Sequence, residues 1–350
     1  MEVDNRSGGD VREFILEKVR AYPREISSIS AQHFGISRQA VHKHLQKLVR
    51  EGVLLSAGNT RDKTYHLAVL SKRSHKYELT PEAAEDLAWI RDVAPGLGKL
   101  PRNVTDIWHF CFTEMFNNAI DHSGGTEIVV QLAKTAVDAE IVIYDDGVGI
   151  FRKIQRALNL LDERHAVLEL AKGKLTTDPA RHTGQGIFFT SRLVDSFDIV
   201  SGGVIFRHEF GKEDDWMVEA PKTNQGTAIF MKLNNHSPRV DREIFEQYTS
   251  GEDYGFTKTV VPVRLAQYGE DKLISRSQAK RLLARVELFR SVWFDFEGVD
   301  TIGQAFADEI FRVFARSHPQ IELVPFHATP QVQQVVNAAR AQLAFEVGGI

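Results

Sequence analysis

Glu114-Met115-Phe116-Asn117-Asn118-Ala119-Ile120-Asp121, followed by Asp145-Asp146-Gly147-Val148-Gly149, decides how this chain is read. The first stretch lies in an apolar run of helical character. Its carboxylate at 114, amide at 118 and carboxylate at 121 stand at i, i+4 and i+7, so they share one helix face. The second stretch follows Glu140-Ile141-Val142-Ile143-Tyr144, which reads as a buried strand. An acid and two glycines directly after a strand let the backbone turn sharply and approach a ligand closely. Each feature has an ordinary counterpart, since a polar helix stripe can be solvated surface and a DDGxG run can be a simple turn. Their pairing points to a nucleotide site.

The two stretches resemble the N box and G1 box of the GHKL ATPases, the family of gyrase B subunits, histidine kinases and anti-sigma-factor kinases. His182-Thr183-Gly184-Gln185-Gly186-Ile187 resembles the glycine-rich box that closes the ATP lid in that family. Many histidine kinases carry glycine where this chain has His182. Gly226-Thr227, before the strand Ala228–Leu233, resembles the last glycine-threonine element. The four elements fall in the family's order over residues 80–235. The resemblance implies ATP and Mg²⁺ as cofactors, with Asn118 as metal ligand and Asp145 accepting from the adenine amino group. Gly147 and Gly149 would let adenine lie against the backbone, Asp121 would support the site, and Thr183, Gly184, Gly186 and Thr227 would complete the nucleotide contacts.

The chemistry agrees. Mg²⁺ takes oxygen ligands and bridges to phosphates with only one or two protein groups. Glu114, one turn before Asn118, is placed to hold and deprotonate a water aimed at the γ-phosphate. Other roles stay open: an exposed carboxylate paired to a cation for Glu114, a turn cap for Asp145, simple helix polarity for Asp121. Between Ile150 and Gly184 the reading places a helical stretch, Leu158 to Lys172, and a segment of lid length. Lys172, Lys174, Arg181 and His182 there either meet phosphates or are ordinary surface charge. The Thr183–Gly186 run precedes an apolar helix, Ile187–Val194, and backbone N–H groups at such a start favour anions.

The composition is that of an ordinary globular protein, with 43% apolar and 26% charged residues over 350 positions. The single cysteine, Cys111, excludes an internal disulfide and a cysteine zinc site, and its apolar neighbours predict a buried thiol. No apolar run has membrane-spanning length, and the N-terminus lacks a signal pattern, so a cytoplasmic protein without a membrane partner is expected. Charge is uneven. Residues 1–77 carry 14 Lys+Arg and 8 Asp+Glu, net +6, and the remainder nets −10. A basic head on an acidic body points to a nucleic-acid partner at the N-terminus.

Within that head, Val11 to Tyr22 and Ile26 to Phe34 read as helices. Ser37 is a good N-cap for a third, Arg38 to Arg50, across a short Gly35-Ile36 turn. A hairpin follows, with its tip at Gly58-Asn59. The order resembles a winged helix-turn-helix domain of bacterial regulators. In such a domain the third helix enters the major groove of duplex DNA. Val41, Leu45 and Leu48 would pack inward. Arg38, Gln39, His42 and Lys43 would face the bases, while Lys47, Arg61 and Lys63 would touch phosphates. Use as a protein-docking module is the alternative. His33, His42, His44 and His66 have no carboxylate or cysteine completing a ligand set, so no metal is expected there.

Ser71 to Tyr77 is polar and basic and reads as a linker; a second runs from Asn234 to Tyr254 around a short helix, Arg242–Tyr248. Beyond it, strands at Val260–Leu265, Val292–Phe296 and Ile321–Val324 alternate with helices at Ser277–Phe289, Ile302–Ala315 and Thr329–Phe345. Phe294 to Gln304 resembles the STAS-like domains fused to GHKL ATPases. Where STAS partners of anti-sigma kinases carry a phosphorylatable serine, this chain has Gly303-Gln304, so phosphorylation there is not expected. The expected fold class is α/β multidomain: a winged helix-turn-helix at residues 10–70, a GHKL α/β sandwich at 78–236 and a small βαβαβα STAS-like domain at 257–346. The expected function is an ATP-binding, ATP-hydrolysing, DNA-binding transcriptional regulator acting as a homodimer, with a protein partner for the STAS-like domain. An anti-sigma-type serine/threonine kinase is the alternative.

Overall fold

The computed structural model describes residues 6–59, 62–80, 84–175, 184–212, 216–219, 225–250, 255–267 and 272–348. It is a mixed α/β molecule of several domains. The head comprises α1 (Arg6–Lys18), α2 (Ile26–Phe34) and α3 (Arg38–Arg50), then an antiparallel hairpin of β1 (Leu54–Ala57) and β2 (Thr64–Leu67). The first helix lies earlier than the expected span. Ser37 starts α3 as its N-cap, its Oγ accepting from the Ala40 N–H at 3.1 Å. Val41, Leu45 and Leu48 recur on one face of α3 and are buried with Val11, Ile15, Ile26, Leu54 and Tyr65 in a core of the head's own.

The stretch read as a linker is not one. Ser71–Glu78 is β3, paired antiparallel over its whole length with β4 (Glu127–Lys134), from Ser71↔Lys134 to Glu78↔Glu127. It is the edge of the main sheet and lies largely exposed, so no alternating apolar pattern marks it. Its lysines and arginine suit an edge that must not recruit another chain. The sheet continues with β5 (Asp138–Asp145), β6 (Ser196–Ser201), β7 (Val204–Glu209), β8 (Trp216–Glu219) and β9 (Thr227–Asn234). Its seven strands run β3-β4-β5-β9-β6-β7-β8, antiparallel throughout.

Helix α4 (Glu85–Ala88), a π turn (Trp89–Val93) and α5 (Ala94–Leu97) lead into α6 (Arg102–His122). Val104, Ile107, Trp108, Cys111, Phe112, Met115 and Ala119 form the buried stripe of α6, packed with Ile128, Ile141, Ile143 and Met231 of the sheet. Cys111 is fully buried, and that burial pushes its thiol pKa up. Two helices follow the Gly147–Gly149 turn: α7 (Ile150–Ala157) and α8 (Glu163–Lys172). The helix expected from Leu158 to Lys172 thus starts five residues later, at Glu163. Asn159 adopts φ 51°, which ends a right-handed helix, and Asp162 caps a new one, its Oδ1 accepting from Arg164 N–H at 2.9 Å. Then comes α9 (Gly186–Leu193).

The tail begins with α10 (Asp241–Tyr248) and the short pair β10 (Thr249–Ser250) and β11 (Gly255–Phe256). Strands β12 (Lys258–Pro262), β13 (Ser291–Asp295) and β14 (Glu322–Phe326) form a three-stranded parallel sheet. Parallel neighbours require crossovers. They are α11 (Arg276–Leu283), and α12 (Gln304–Asp308) extended by a π turn (Glu309–Phe314) and α13 (Ala315–Ser317); α14 (Pro330–Gly348) follows β14. The order is βαβαβα. The tail's core also takes in Leu168 of α8 and Phe188 and Phe189 of α9, so it is continuous with those two helices.

Candidate functional site

A cavity of about 230 Å³ opens between α6, the end of β5, α7, and the segments on either side of residues 176–183. Helix α6 supplies Glu114 and Asn118, four residues apart and therefore on one face. The end of β5 supplies Asp145, and β9 supplies Thr227 opposite it in the ladder. Residues 184–188 form a further wall, with Gly184, Gln185 and Gly186 at its rim. Segments distant in sequence, 114–118, 145, 184–186 and 227, thus converge on one space.

Neighbouring acids at the strand end have opposite electrostatics. Asp145 is buried, and its Oδ1 accepts from the Gly147 N–H at 2.9 Å. Burial pushes its pKa above the ordinary 3.8, although donors on Gly147 and Thr227 pull the other way. Asp146 turns to the surface and accepts from the Thr126 hydroxyl at 2.6 Å, Thr126 N–H at 2.7 Å and Glu127 N–H at 3.0 Å. Those donors, the hydroxyl first, hold its pKa down at about 2. Asp146 therefore fixes the turn into β4, leaving Asp145 to face the cavity.

Close approach explains two glycines. Gly149 adopts φ 93°, which side-chain-bearing residues rarely take, and begins α7. A Cβ on Gly186 would collide with the Glu114 carboxylate, so glycine lets α9 start against α6. Thr227 has a structural duty as well, its Oγ1 accepting from the Ile150 N–H at 3.0 Å. Gly147 and Gly149 are buried in the turn between Asp145 and Ile150, which line the cavity, but neither glycine is itself on its wall. Asp121 is exposed at the end of α6 and is not on the cavity wall; its charge acts on Lys153. Thr183, Arg181 and His182 lie outside the described residues.

Lys153 lines the cavity, a residue the sequence reading passed over. Its Nζ donates to the His122 carbonyl at 2.7 Å, and burial pushes its pKa down while Asp121 raises it. The available signal was its place one helical turn beyond Gly149. Lys172 and Lys174 overturn the reading that offered phosphate contact or surface charge. Lys172 is 1% exposed and pairs with Glu169 at 2.7 Å, and both lysines donate to carbonyls of the tail. The tail that covers them is remote in sequence, so no local pattern announces it.

Among the described residues no group of three or more His, Cys, Asp or Glu could hold a metal. A divalent ion at this cavity would rest on oxygen donors such as the Asn118 amide together with phosphate oxygens, the manner in which Mg²⁺ is commonly held.

In the head, Arg38, Gln39, Lys43 and Lys47 are exposed on α3, opposite the buried Val41, Leu45 and Leu48. His42 is half-buried, with Nε2 3.0 Å from the Gln46 amide nitrogen. Lys63, just before β2, lies 5.5 Å from the Tyr65 ring centroid. Arg61 lies outside the described residues.

No helix among the described residues is long and apolar enough to cross a membrane. A comparison with curated proteins returned no match. Residues 278–333 match the family described as a STAS-like domain of unknown function (DUF4325), which covers α11 through the start of α14. Residues 80–207 match the family described as the histidine kinase-like ATPase domain, and they hold most of the cavity. The chain therefore carries a histidine kinase-like ATPase domain of GHKL type, followed by a STAS-like domain.

Proposed function

We propose that this chain is an ATP- and DNA-binding transcriptional regulator in which nucleotide state controls the grip of the head on duplex DNA. The observation that carries the nucleotide half is the buried Asp145 carboxylate at the cavity, with Glu114 and Asn118 on the facing helix. Asp145 accepts a hydrogen bond from the adenine amino group. Asn118 would hold Mg²⁺, which when bound would neutralise charge on the phosphates. Glu114 takes the proton of the attacking water. Lys153 offers a cation to the phosphates, and the start of α9 offers backbone N–H groups.

The head's part rests on geometry and charge. Arg38, Gln39 and Lys43 stand exposed on a helix whose opposite face is packed, which suits a helix laid in the major groove. Arg38 and Gln39 read base edges, and His42 contributes beside them. Lys47, Arg61 and Lys63 contact phosphates. The protein acts as a homodimer on paired half-sites.

A second reading is a protein kinase of anti-sigma type, with Glu114 and Asn118 serving transfer to a hydroxyl of a partner. The match to the histidine kinase-like ATPase family is equally compatible with it. Two measurements decide. Purified protein with γ-labelled ATP and Mg²⁺ releases free phosphate if it is an ATPase, and labels a partner if it is a kinase. DNA titrations with and without ATP–Mg²⁺ at fixed salt give two different affinities if the regulator reading holds. Superimposable curves would overturn nucleotide control of the head.

A further inference from the structure

The seam between cavity wall and tail is used by neither the nucleotide chemistry nor the head. Residues 168–175 alternate between two surroundings. Leu170 and Leu175 line the cavity, whereas Leu168 is buried in the tail's core. Lys172 Nζ donates to Glu169 Oε1 at 2.7 Å, to the Arg281 carbonyl at 3.0 Å and to the Ala284 carbonyl at 2.8 Å. The Lys172 carbonyl accepts from Thr259 Oγ1 at 2.6 Å. Lys174 Nζ donates to the Leu288 carbonyl at 2.7 Å and lies 4.7 Å from the Phe289 ring centroid, while Arg285 Nη2 donates to the Lys174 carbonyl at 2.5 Å. On the other side of residues 176–183, Phe188 lines the cavity and packs its ring 4.6 Å from that of Phe256.

We propose that docking of the STAS-like tail on residues 168–174 and Phe188–Phe189 regulates the nucleotide site: the docked tail holds the cavity wall in its nucleotide-accepting arrangement, and bound nucleotide in turn tightens the docking. The proposal rests on the reading of the cavity as a nucleotide site.

The physical argument runs through Lys172. Two of its three acceptors belong to the tail, and a buried ammonium that loses them is left with Glu169 alone. A buried charge short of partners is costly, so displacing the tail forces residues 168–175 to rearrange. Leu170 and Leu175 on that same segment then leave their places on the cavity wall. The docking is also not maximally tight. Glu169 Oε2 and Arg285 Nη1 face each other across the seam at 4.0 Å, and neither makes a hydrogen bond to a described residue. An apolar seam with an incompletely satisfied charge pair is one whose two arrangements lie close enough for a ligand to choose between them. Linkage makes the effect reciprocal.

The test uses the full-length protein. ATP–Mg²⁺ is titrated calorimetrically into the wild type, Lys174→Ala, Lys172→Met and Arg316→Ala, the last removing an exposed ion pair to Glu346 within the tail. Lys174→Ala should bind about 5-fold more weakly and Lys172→Met about 10-fold or more, the ordinary range of allosteric coupling, with Arg316→Ala within about twofold of wild type. Amide hydrogen exchange of residues 281–289 in the wild type should slow when ATP–Mg²⁺ saturates the protein. If the wild type binds no ATP, the nucleotide reading itself falls. If it binds ATP, but both lysine variants match it or bind more tightly, the coupling is overturned and the nucleotide reading stands. Should either variant fail to fold by circular dichroism, the wild-type exchange decides: unchanged protection of residues 281–289 on saturation overturns the proposal.

Discussion

The ATPase domain meets its two neighbours in opposite ways. Toward the tail it shares a core: Leu168, Phe188 and Phe189 are buried among Phe256, Phe289 and the tail's helices, and Lys172 is sealed into the seam. Toward the head it shares little. The head keeps a core of its own and touches the sheet through the Arg20–Asp138 ion pair and a Leu70 N–H bond to the Lys134 carbonyl at 2.7 Å. A shared core transmits a displacement because packed interiors do not deform continuously. An ion pair whose arginine is half exposed holds position and transmits little. The tail is thus packed behind residues that line the cavity, and the head is carried at the ends of β4 and β5.

That contrast can be sharpened by experiments of decreasing effect. Glu114→Gln should slow ATP hydrolysis by about 10²–10⁴-fold, the usual worth of a general base, while ATP still binds. Asn118→Ala should remove Mg²⁺-dependent ATP binding. Steady-state phosphate release and calorimetry check the pair, and unchanged turnover in Glu114→Gln would reject the assigned base.

Next comes the shared core. Phe189→Ala should cost about 3–5 kcal/mol, as for a buried phenylalanine, and should lower the melting of ATPase domain and tail together. Separate transitions in calorimetry, with only one displaced, would break the idea of a common core. In the head, Arg38→Ala should cost about 1–3 kcal/mol of binding to its preferred DNA site, whereas Lys63→Ala should weaken binding to all sequences alike and flatten the salt dependence. Fluorescence titrations over a range of salt distinguish them.

The acid pair gives a pH signature. Burial raises Asp145, so its carboxylate takes up a proton above pH 3.8, and ATP affinity should fall as pH drops through that raised value. Asp145→Asn should weaken adenine recognition and remove the pH step. Asp146 runs oppositely: with its pKa held at about 2, it contributes stability that is present above 3.8 and lost as pH falls toward 2. Chemical denaturation at stepped pH, with Asp146→Asn as reference, reads that loss.

The smallest effect belongs to the head's seam. Arg20 is half exposed, and Asp138 keeps Lys232 at 3.3 Å and the Thr135 hydroxyl at 2.9 Å when Arg20 is removed. Arg20→Ala should therefore cost about 1 kcal/mol or less in thermal stability. A larger loss would mean the head is more tightly bound to the sheet than one ion pair implies.

The sequence by itself determined the parts whose residues carry their own instructions. Ser37 announced the start of α3, and the Val41-Leu45-Leu48 spacing announced its buried face. Apolar periodicity marked α6 and the parallel strands of the tail, and the glycines after β5 marked a turn that must come close to something. These signals are local: a cap, a helical period, a strand bounded by turns. The tertiary structure alone decided what long-range contact creates. Ser71 to Tyr77 reads as a polar linker, because an edge strand buries too little to show alternation, and only pairing with β4 makes it part of the sheet. Lys153 joined the cavity because α7, starting at the Gly149 turn, brings its Nζ to the His122 carbonyl at the end of α6. Lys172 and Lys174 look like free cations in sequence, since the carbonyls of Arg281, Ala284 and Leu288 that receive them lie more than a hundred residues away. A side chain's pattern reports its own helix or strand; which element comes to cover it is settled by packing, and only packing joined this tail to this cavity.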